Sequence, residues 1–248
     1  MNLIVTEKRR LAHQVFELSF RFDEAHDFTP GQFLHVRTHD ASHVLRRPIS
    51  IAKWDSHHLT GSMVIRDQGE GTHDILNTKQ GQSLDALGPL GKGFPIDFLG
   101  NQSQALLIGG GVGVPALLEC AKALHAKNIQ VIVALGFQSQ DNVFYVEEFK
   151  RYGEVRLATL DGSVGSQGTV ETLLSDLKPD AIYACGPIGL AKFVQTHYKH
   201  HPHVYLSLEE RMACGVGACA GCTVSKSTHG NFKVCSDGPV FNAQEVSL

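Results

Sequence analysis

Through the first hundred or so residues, apolar positions alternate with polar ones in short runs. These are Gln14 to Phe22, Gln32 to Thr38, Ile49 to Trp54 and Gly61 to Asp67. A period of two, broken regularly by turn residues, predicts half-buried strands of a small antiparallel barrel. Thr29-Pro30-Gly31-Gln32-Phe33 marks a turn entering a strand, and the Gly and Pro cluster from Gly88 to Pro95 closes the segment. Residues 97–104 are the expected crossing to a second unit.

From Ala105 the pattern changes. Apolar runs at Ala105 to Ile108, Gln130 to Leu135, Val155 to Thr159, Ala181 to Ala184 and Val204 to Leu206 predict buried strands. Between them, Pro115 to Lys127, Thr169 to Leu177 and Ile188 to Tyr198 carry amphipathic helical spacing. Strands alternating with helices predict βαβ units in a doubly wound parallel sheet. The chain therefore divides into an antiparallel barrel over 1–100, a parallel α/β sheet over 101–206 and a cysteine-rich segment over 207–248, the last with little regular periodicity. No repeat or low-complexity segment interrupts this order.

Charge narrows the partners. With 22 Lys and Arg against 25 Asp and Glu, interspersed, the chain has a net charge of −3 and no basic stripe for nucleic-acid phosphates. Its first residues lack the layout of a signal peptide, and no apolar stretch is long enough to span a bilayer, so a soluble cytoplasmic protein is expected. His57, His58, His197, His200, His201 and His203 sit in polar surroundings and are expected to be solvated.

The strongest chemical signal is near the end of the chain. Cys214, Cys219, Cys222 and Cys235 form C-x4-C-x2-C-x12-C, the spacing of a plant-type two-iron, two-sulfur cluster held mainly by one loop. Gly215, Gly217 and Gly221 let that loop fold tightly with N–H groups turned toward sulfur, and Ala213, Ala218 and Ala220 keep it small. Four thiolates also suit structural zinc, and a disulfide framework is a third possibility. Only one short pair, Cys219 and Cys222, is present, however, where zinc usually takes two. Cys120, among Leu117, Leu118, Ala121 and Leu124, is expected to be an inert core residue.

Gly109-Gly110-Gly111-Val112-Gly113-Val114-Pro115 follows an apolar strand and opens a helix, the context in which Gly110, Gly111 and Gly113 bind phosphate, although such a turn can be purely structural. The ends of neighbouring strands carry Gly136-Phe137-Gln138, Asp161-Gly162 and Cys185-Gly186-Pro187, which face one crevice in a parallel sheet. Cys185 is expected to line a nicotinamide pocket or to be a core thiol. Phe137 to Asp141 include no cation for a 2′-phosphate, so NAD is preferred over NADP.

In the barrel segment, Arg47 of Arg46-Arg47-Pro48-Ile49-Ser50 is suited to a pyrophosphate and Ser50 to a flavin ring edge, while Gly71 and Thr72 offer helix-start amides to phosphate. The plainer alternatives are a surface charge for Arg47 and a helix cap for Thr72.

Taken in order, Pro30-Gly31-Gln32-Phe33, Arg47-Pro48-Ile49-Ser50, Gly71-Thr72, the glycine loop and Cys185-Gly186-Pro187 resemble the ferredoxin-reductase superfamily. Isoleucine at 49 stands where that superfamily often has a flavin-stacking tyrosine. Leu87 to Phe94, Glu209 to Cys219 and Cys235 to Phe241 further resemble the electron-transfer subunits of type B dihydroorotate dehydrogenases, over nearly the whole chain. That resemblance implies FAD contacts from Arg47, Pro48, Ile49, Ser50, Val64, Ile65, Arg66, Gly71 and Thr72, and ligation of a 2Fe-2S cluster by Cys214, Cys219, Cys222 and Cys235. It also implies NAD+ as acceptor and a separate FMN-containing catalytic subunit that oxidises dihydroorotate, assembled as a heterotetramer. Val216 and Phe241 are expected to supply apolar contact to that partner. A differently partnered or stand-alone NAD(P)H reductase uses the same parts, and a zinc-stabilised nucleotide-binding scaffold would have no redox role.

Overall fold

The structure, a computed structural model, describes all of residues 1–248. Strands β1 (Asn2–Ala12), β2 (Val15–Arg21), β3 (Phe33–Val36), β4 (Arg47–Asp55), β5 (Thr60–Arg66) and β6 (Ser83–Leu90) close into an antiparallel barrel in the order β1-β2-β5-β4-β3-β6. Alternation fills its interior with Leu3, Val5, Leu18, Phe20, Leu34, Ile51, Met63 and Leu84, all almost fully buried. Truncating one of the larger of these to alanine should cost about 2–5 kcal/mol. A short helix, α1 (Glu70–Leu76), leads from β5 to β6.

The second unit contains β7 (Gln104–Gly110), α2 (Leu118–Ala126), β8 (Gln130–Phe137), α3 (Val146–Lys150), β9 (Glu154–Thr159), β10 (Ser166–Gln167), β11 (Ala181–Cys185), α4 (Ile188–His197) and β12 (Val204–Ser207). The C-terminal residues add β13 (Thr223–Lys226), β14 (Asn231–Lys233), β15 (Val240–Asn242) and β16 (Val246–Ser247). The main sheet runs β10-β9-β8-β7-β11-β12-β15 and is parallel except for β15, which lies antiparallel on β12. On one face Leu107, Val133 and Tyr183 pack with Leu117, Cys120 and Leu124; on the other Ile108, Ile182 and Leu206 pack with Ala191, Val194, Cys222, Cys235 and Phe241. No helix is long and apolar enough to cross a membrane.

Four sequence expectations change. The helix expected over 115–127 begins as a 3-10 segment, Gly111–Leu117, and becomes α-helical only at Leu118, because Pro115 lacks an N–H and Gly111 has φ +52. The helix expected over 169–177 shrinks to a 3-10 turn, Val170–Leu173, ahead of Pro179. The cysteine-rich segment is not irregular: β13, β14 and β16 form a small sheet, and β15 completes the large one. Phe241 lies within β15, is 4% exposed and packs on Phe232, so it is a core residue and offers no surface to a partner.

Candidate functional site

The cysteine loop is shaped by positive φ at Gly215, Gly217 and Ala220. Those turns aim N–H groups at sulfur. The amides of Val216 and Cys219 each donate to Cys214 Sγ at 3.4 Å, that of Gly217 to Cys235 Sγ at 3.1 Å, and that of Cys235 to Cys222 Sγ at 3.4 Å. The amides of Cys219 and Val216 hold the Cys214 thiol low, at about 6, so it ionises readily. Burial, together with Cys222, pushes Cys235 the other way, to about 11.

The thiols come in pairs, Cys214 with Cys219 and Cys222 with Cys235, each pair close enough for one thiol to shift the ionisation of the other. Two irons with two thiolates each suit that arrangement better than a single zinc, and the inward amides suit the negative charge on a cluster's sulfurs. Lys233 fixes the loop: Nζ donates to the Gly217 carbonyl at 2.6 Å, and its amide donates to Asp237 Oδ2 at 2.7 Å. Cys222 and Cys235 are buried, Cys214 is half-buried and Cys219 is exposed, so the loop runs from the core to the surface.

The same segment is clamped to the barrel. Lys92 bridges Pro239, and a side chain added at Gly91 would strike Gly238 and Pro239. The Leu87 to Phe94 and Cys235 to Phe241 blocks are therefore two sides of one joint. His35, which sequence reasoning passed over, lies beside it: the ring is fully buried, and a Cβ on Gly215 would fall on its Nδ1. Its sequence signal was the polar residue between Leu34 and Val36 in a strand predicted to be half-buried.

On the flavin side, Arg46 is committed to Asp85, whereas Arg47 lies against Gly71, where a Cβ would occupy the space of the guanidinium. The fold thus joins Arg47 to the start of α1 across 24 residues of sequence, from 47 to 71. Thr72 Oγ1 accepts from the amides of Gln68 and Gly69 at 3.2 Å, so it acts as a cap. Ile49 pairs with Leu34 and faces the barrel interior, while Pro48 and Ser50 pair with His35 and Phe33 on the outer face. Val64 and Ile65 are buried; Arg66 is exposed.

On the nucleotide side, the glycines separate into two kinds. A Cβ at Gly113 would strike the Cys185–Gly186 peptide, and one at Gly186 would crowd Gly110, so these glycines let two strand ends touch. Gly111 has open space around it and is free to meet a ligand. Cys185 is half-buried, and burial pushes its thiol up to about 12, against any nucleophilic role. Cys120 is fully buried. After β8, a cavity of about 580 Å³ is lined by Gln138, Ser139 and Asp141 together with Arg10 and His13 of the barrel's first hairpin. Arg10 is a cation at the nucleotide side that local sequence did not reveal. A slightly larger cavity, about 610 Å³, contains none of the predicted site residues.

Residues 209–247 match the family model for the iron-sulfur cluster binding domain of dihydroorotate dehydrogenase B. Over its whole length the chain is 43% identical to the dihydroorotate dehydrogenase B (NAD(+)) electron transfer subunit of Streptococcus mutans, covering 98% of that protein. It is 44% identical to that of Listeria monocytogenes, with 98% of this chain and 97% of that protein covered. The chain belongs to this family. Among solved structures, it superposes on an NADH-dependent reduced ferredoxin-NADP oxidoreductase with a TM-score of 0.88 and 30% identity, covering 99% of this chain and 89% of that one. Phthalate dioxygenase reductase, at 15% identity and TM-score 0.68, covering 92% of this chain and 87% of that one, shares the fold. A dihydroorotate dehydrogenase B electron transfer subunit is thus built on the ferredoxin-reductase plan, with the cysteine loop wedged between barrel and sheet.

Proposed function

We propose that this chain takes electrons from the FMN of a dihydroorotate-oxidising catalytic subunit and passes them to NAD+ in pyrimidine biosynthesis. The observation that carries this reading is the loop of paired thiols with amides aimed at sulfur, in a chain similar over its full length to electron transfer subunits. When bound, the 2Fe-2S cluster supplies one-electron transfer, FAD the exchange between single electrons and pairs, and nicotinamide accepts hydride.

The protein's own residues hold and orient. Cys214, Cys219, Cys222 and Cys235 would ligate the cluster, with Lys233 fixing the loop at Gly217. Arg47, given room by Gly71, would neutralise the FAD pyrophosphate, and Ser50 would meet the ring from the outer face of β4. Pro48, Ile49 and the stretch from Val64 to Arg66 would line the flavin largely through backbone, since Ile49, Val64 and Ile65 are buried. Thr72 would help by fixing the first turn of α1. Gly111 would approach the dinucleotide, Gly110 and Gly113 keep the neighbouring strand ends together, and Cys185 would border the nicotinamide as a neutral thiol.

This reading divides the chain into 1–100 for FAD, 101–206 for NAD and 207–248 for the cluster, and the family resemblance adds cytoplasmic operation in a heterotetramer of two subunits of each kind. Val216, 57% exposed on the cysteine loop beside exposed Cys219, is the apolar residue best placed to meet the catalytic subunit.

Co-expression with a candidate FMN-bearing barrel subunit, co-purification and a dihydroorotate-dependent NADH assay test partner, substrate and acceptor together. NADH formation only with both subunits is the expected result; none, from a complex loaded with flavin and iron, would reject the reading. The likeness to the ferredoxin-NADP oxidoreductase favours a second reading, a differently partnered reductase fed by nicotinamide. That reading predicts NADH oxidation by another acceptor and no association with the barrel subunit.

A further inference from the structure

His35 is fully buried, yet neither ring nitrogen has a hydrogen-bond partner in the protein. A buried imidazole normally finds one, because burial strips its nitrogens of water. Its position is specific. It stands on β3 directly opposite Pro48 of the proposed flavin stretch and Leu87 of β6, and its ring is covered from outside by Gly215, the residue after the first cluster cysteine. Gly215 has φ +73 and no room for a Cβ against Nδ1, so the loop approaches the ring as closely as a glycine permits. The carbonyls of Arg46 and Cys214 lie near the ring without completing hydrogen bonds to it. The unsatisfied group thus sits between flavin strand and cysteine loop, where the missing partner would be the sulfur held there.

We propose that His35 is a positioning residue for the cluster, giving a ring N–H to sulfur at the Cys214 side and tying the flavin-bearing strand to the loop. The inference rests on the assignment of a 2Fe-2S cluster to the four cysteines. Either neutral tautomer has one N–H to give, so the role does not depend on a charge. Hydrogen bonds to the sulfurs of such clusters stabilise the reduced, more negative state and raise the reduction potential. Removing this one should therefore make the cluster harder to reduce.

The test uses the full complex, with iron and acid-labile sulfide measured first. In wild-type protein carrying 15N-labelled histidine, pulsed electron paramagnetic resonance of the dithionite-reduced cluster should show a weak coupling to a histidine nitrogen. That coupling should vanish in His35→Phe and persist in His35→Gln prepared with a 15N-labelled glutamine side chain. In His35→Phe the ratio of reduced to oxidised cluster at a fixed potential should fall about tenfold, equivalent to a shift of about 59 mV for one electron, with recovery toward wild type in His35→Gln. If His35→Phe fails to retain the cluster, the labelled wild-type protein decides alone. Iron and sulfide present without a histidine coupling would overturn the proposal and leave the cluster assignment standing. Absence of both iron and sulfide would remove the assignment first.

Discussion

Tyr145 donates its hydroxyl to Glu17 Oε1 at 2.7 Å, fastening the α/β unit to the barrel through a carboxylate with only 4% of its side chain exposed. Lys53 and Ser62 donate to the same oxygen at 2.7 and 2.8 Å, and Arg9 donates to the other at 2.7 Å. Burial alone would push this carboxyl up. The hydrogen bonds from Lys53, Tyr145 and Arg9 outweigh it and bring Glu17 down to about 2 from an ordinary 4.5.

A folded-state pKa below the unfolded one contributes stability that is complete above about 4.5 and is lost as pH falls toward 2. Urea midpoints measured across that window should fall steeply for the wild type and less for Glu17→Gln. At neutral pH the substitution should cost about 2–3 kcal/mol, since Lys53 and Arg9 lose a charged acceptor yet can still reach water. Tyr145→Phe should cost about 1 kcal/mol. Equal acid sensitivity in wild type and Glu17→Gln would contradict this account.

Arg47 and Gly71 make a second testable pair. Arg47→Ala should weaken FAD retention by about 1.5–3 kcal/mol, read as flavin fluorescence released on dilution. Gly71→Ala should weaken it in the same direction by displacing the guanidinium, although the arginine is still present. Full retention in Gly71→Ala would separate the glycine from the phosphate site.

Replacing exposed Cys219 by serine leaves the core untouched. The expected result is loss of the cluster's visible absorbance and of dihydroorotate-linked NADH formation, while the catalytic subunit continues to reduce artificial acceptors. NADH formed at the normal rate by the variant complex would show that electrons bypass the cysteine loop.

The two kinds of glycine at the nucleotide side should respond differently. Gly113→Ala forces a methyl into the Cys185–Gly186 peptide and should lower stability by about 1–3 kcal/mol in urea unfolding. Gly111→Ala meets no neighbour and carries only the cost of φ +52, about 1 kcal/mol, so its larger effect should be on the KM for NAD+. Equal losses of stability would refute the distinction.

The sequence disclosed what local chemistry dictates and concealed what tertiary contact decides. The cluster-binding segment was legible because such a cluster demands closely set thiolates, and β2 to β5 were legible because each short apolar run is bracketed by turn residues. β1 was not: Glu7, Lys8, Arg9 and Arg10 form an exposed polar run that breaks the period, and bulges at Val5/Glu7 and Arg10/Ala12 shift the register. β15 was hidden because three residues, Val240 to Asn242, are too few to show a period. His35 and Arg10 were missed for a shared reason, since each matters through a neighbour far away in the chain: Gly215 for one, Gln138 to Asp141 for the other.

Strand β15 closes the large sheet from beyond the cysteine loop, through pairs such as Leu206 with Phe241. During synthesis β12 therefore stays an open edge until Asn242 has left the ribosome, by which time all four cysteines have already emerged. Until then the bare edge is free to pair with another copy. Protection of the sheet against aggregation thus waits on three residues of backbone made after the last cysteine.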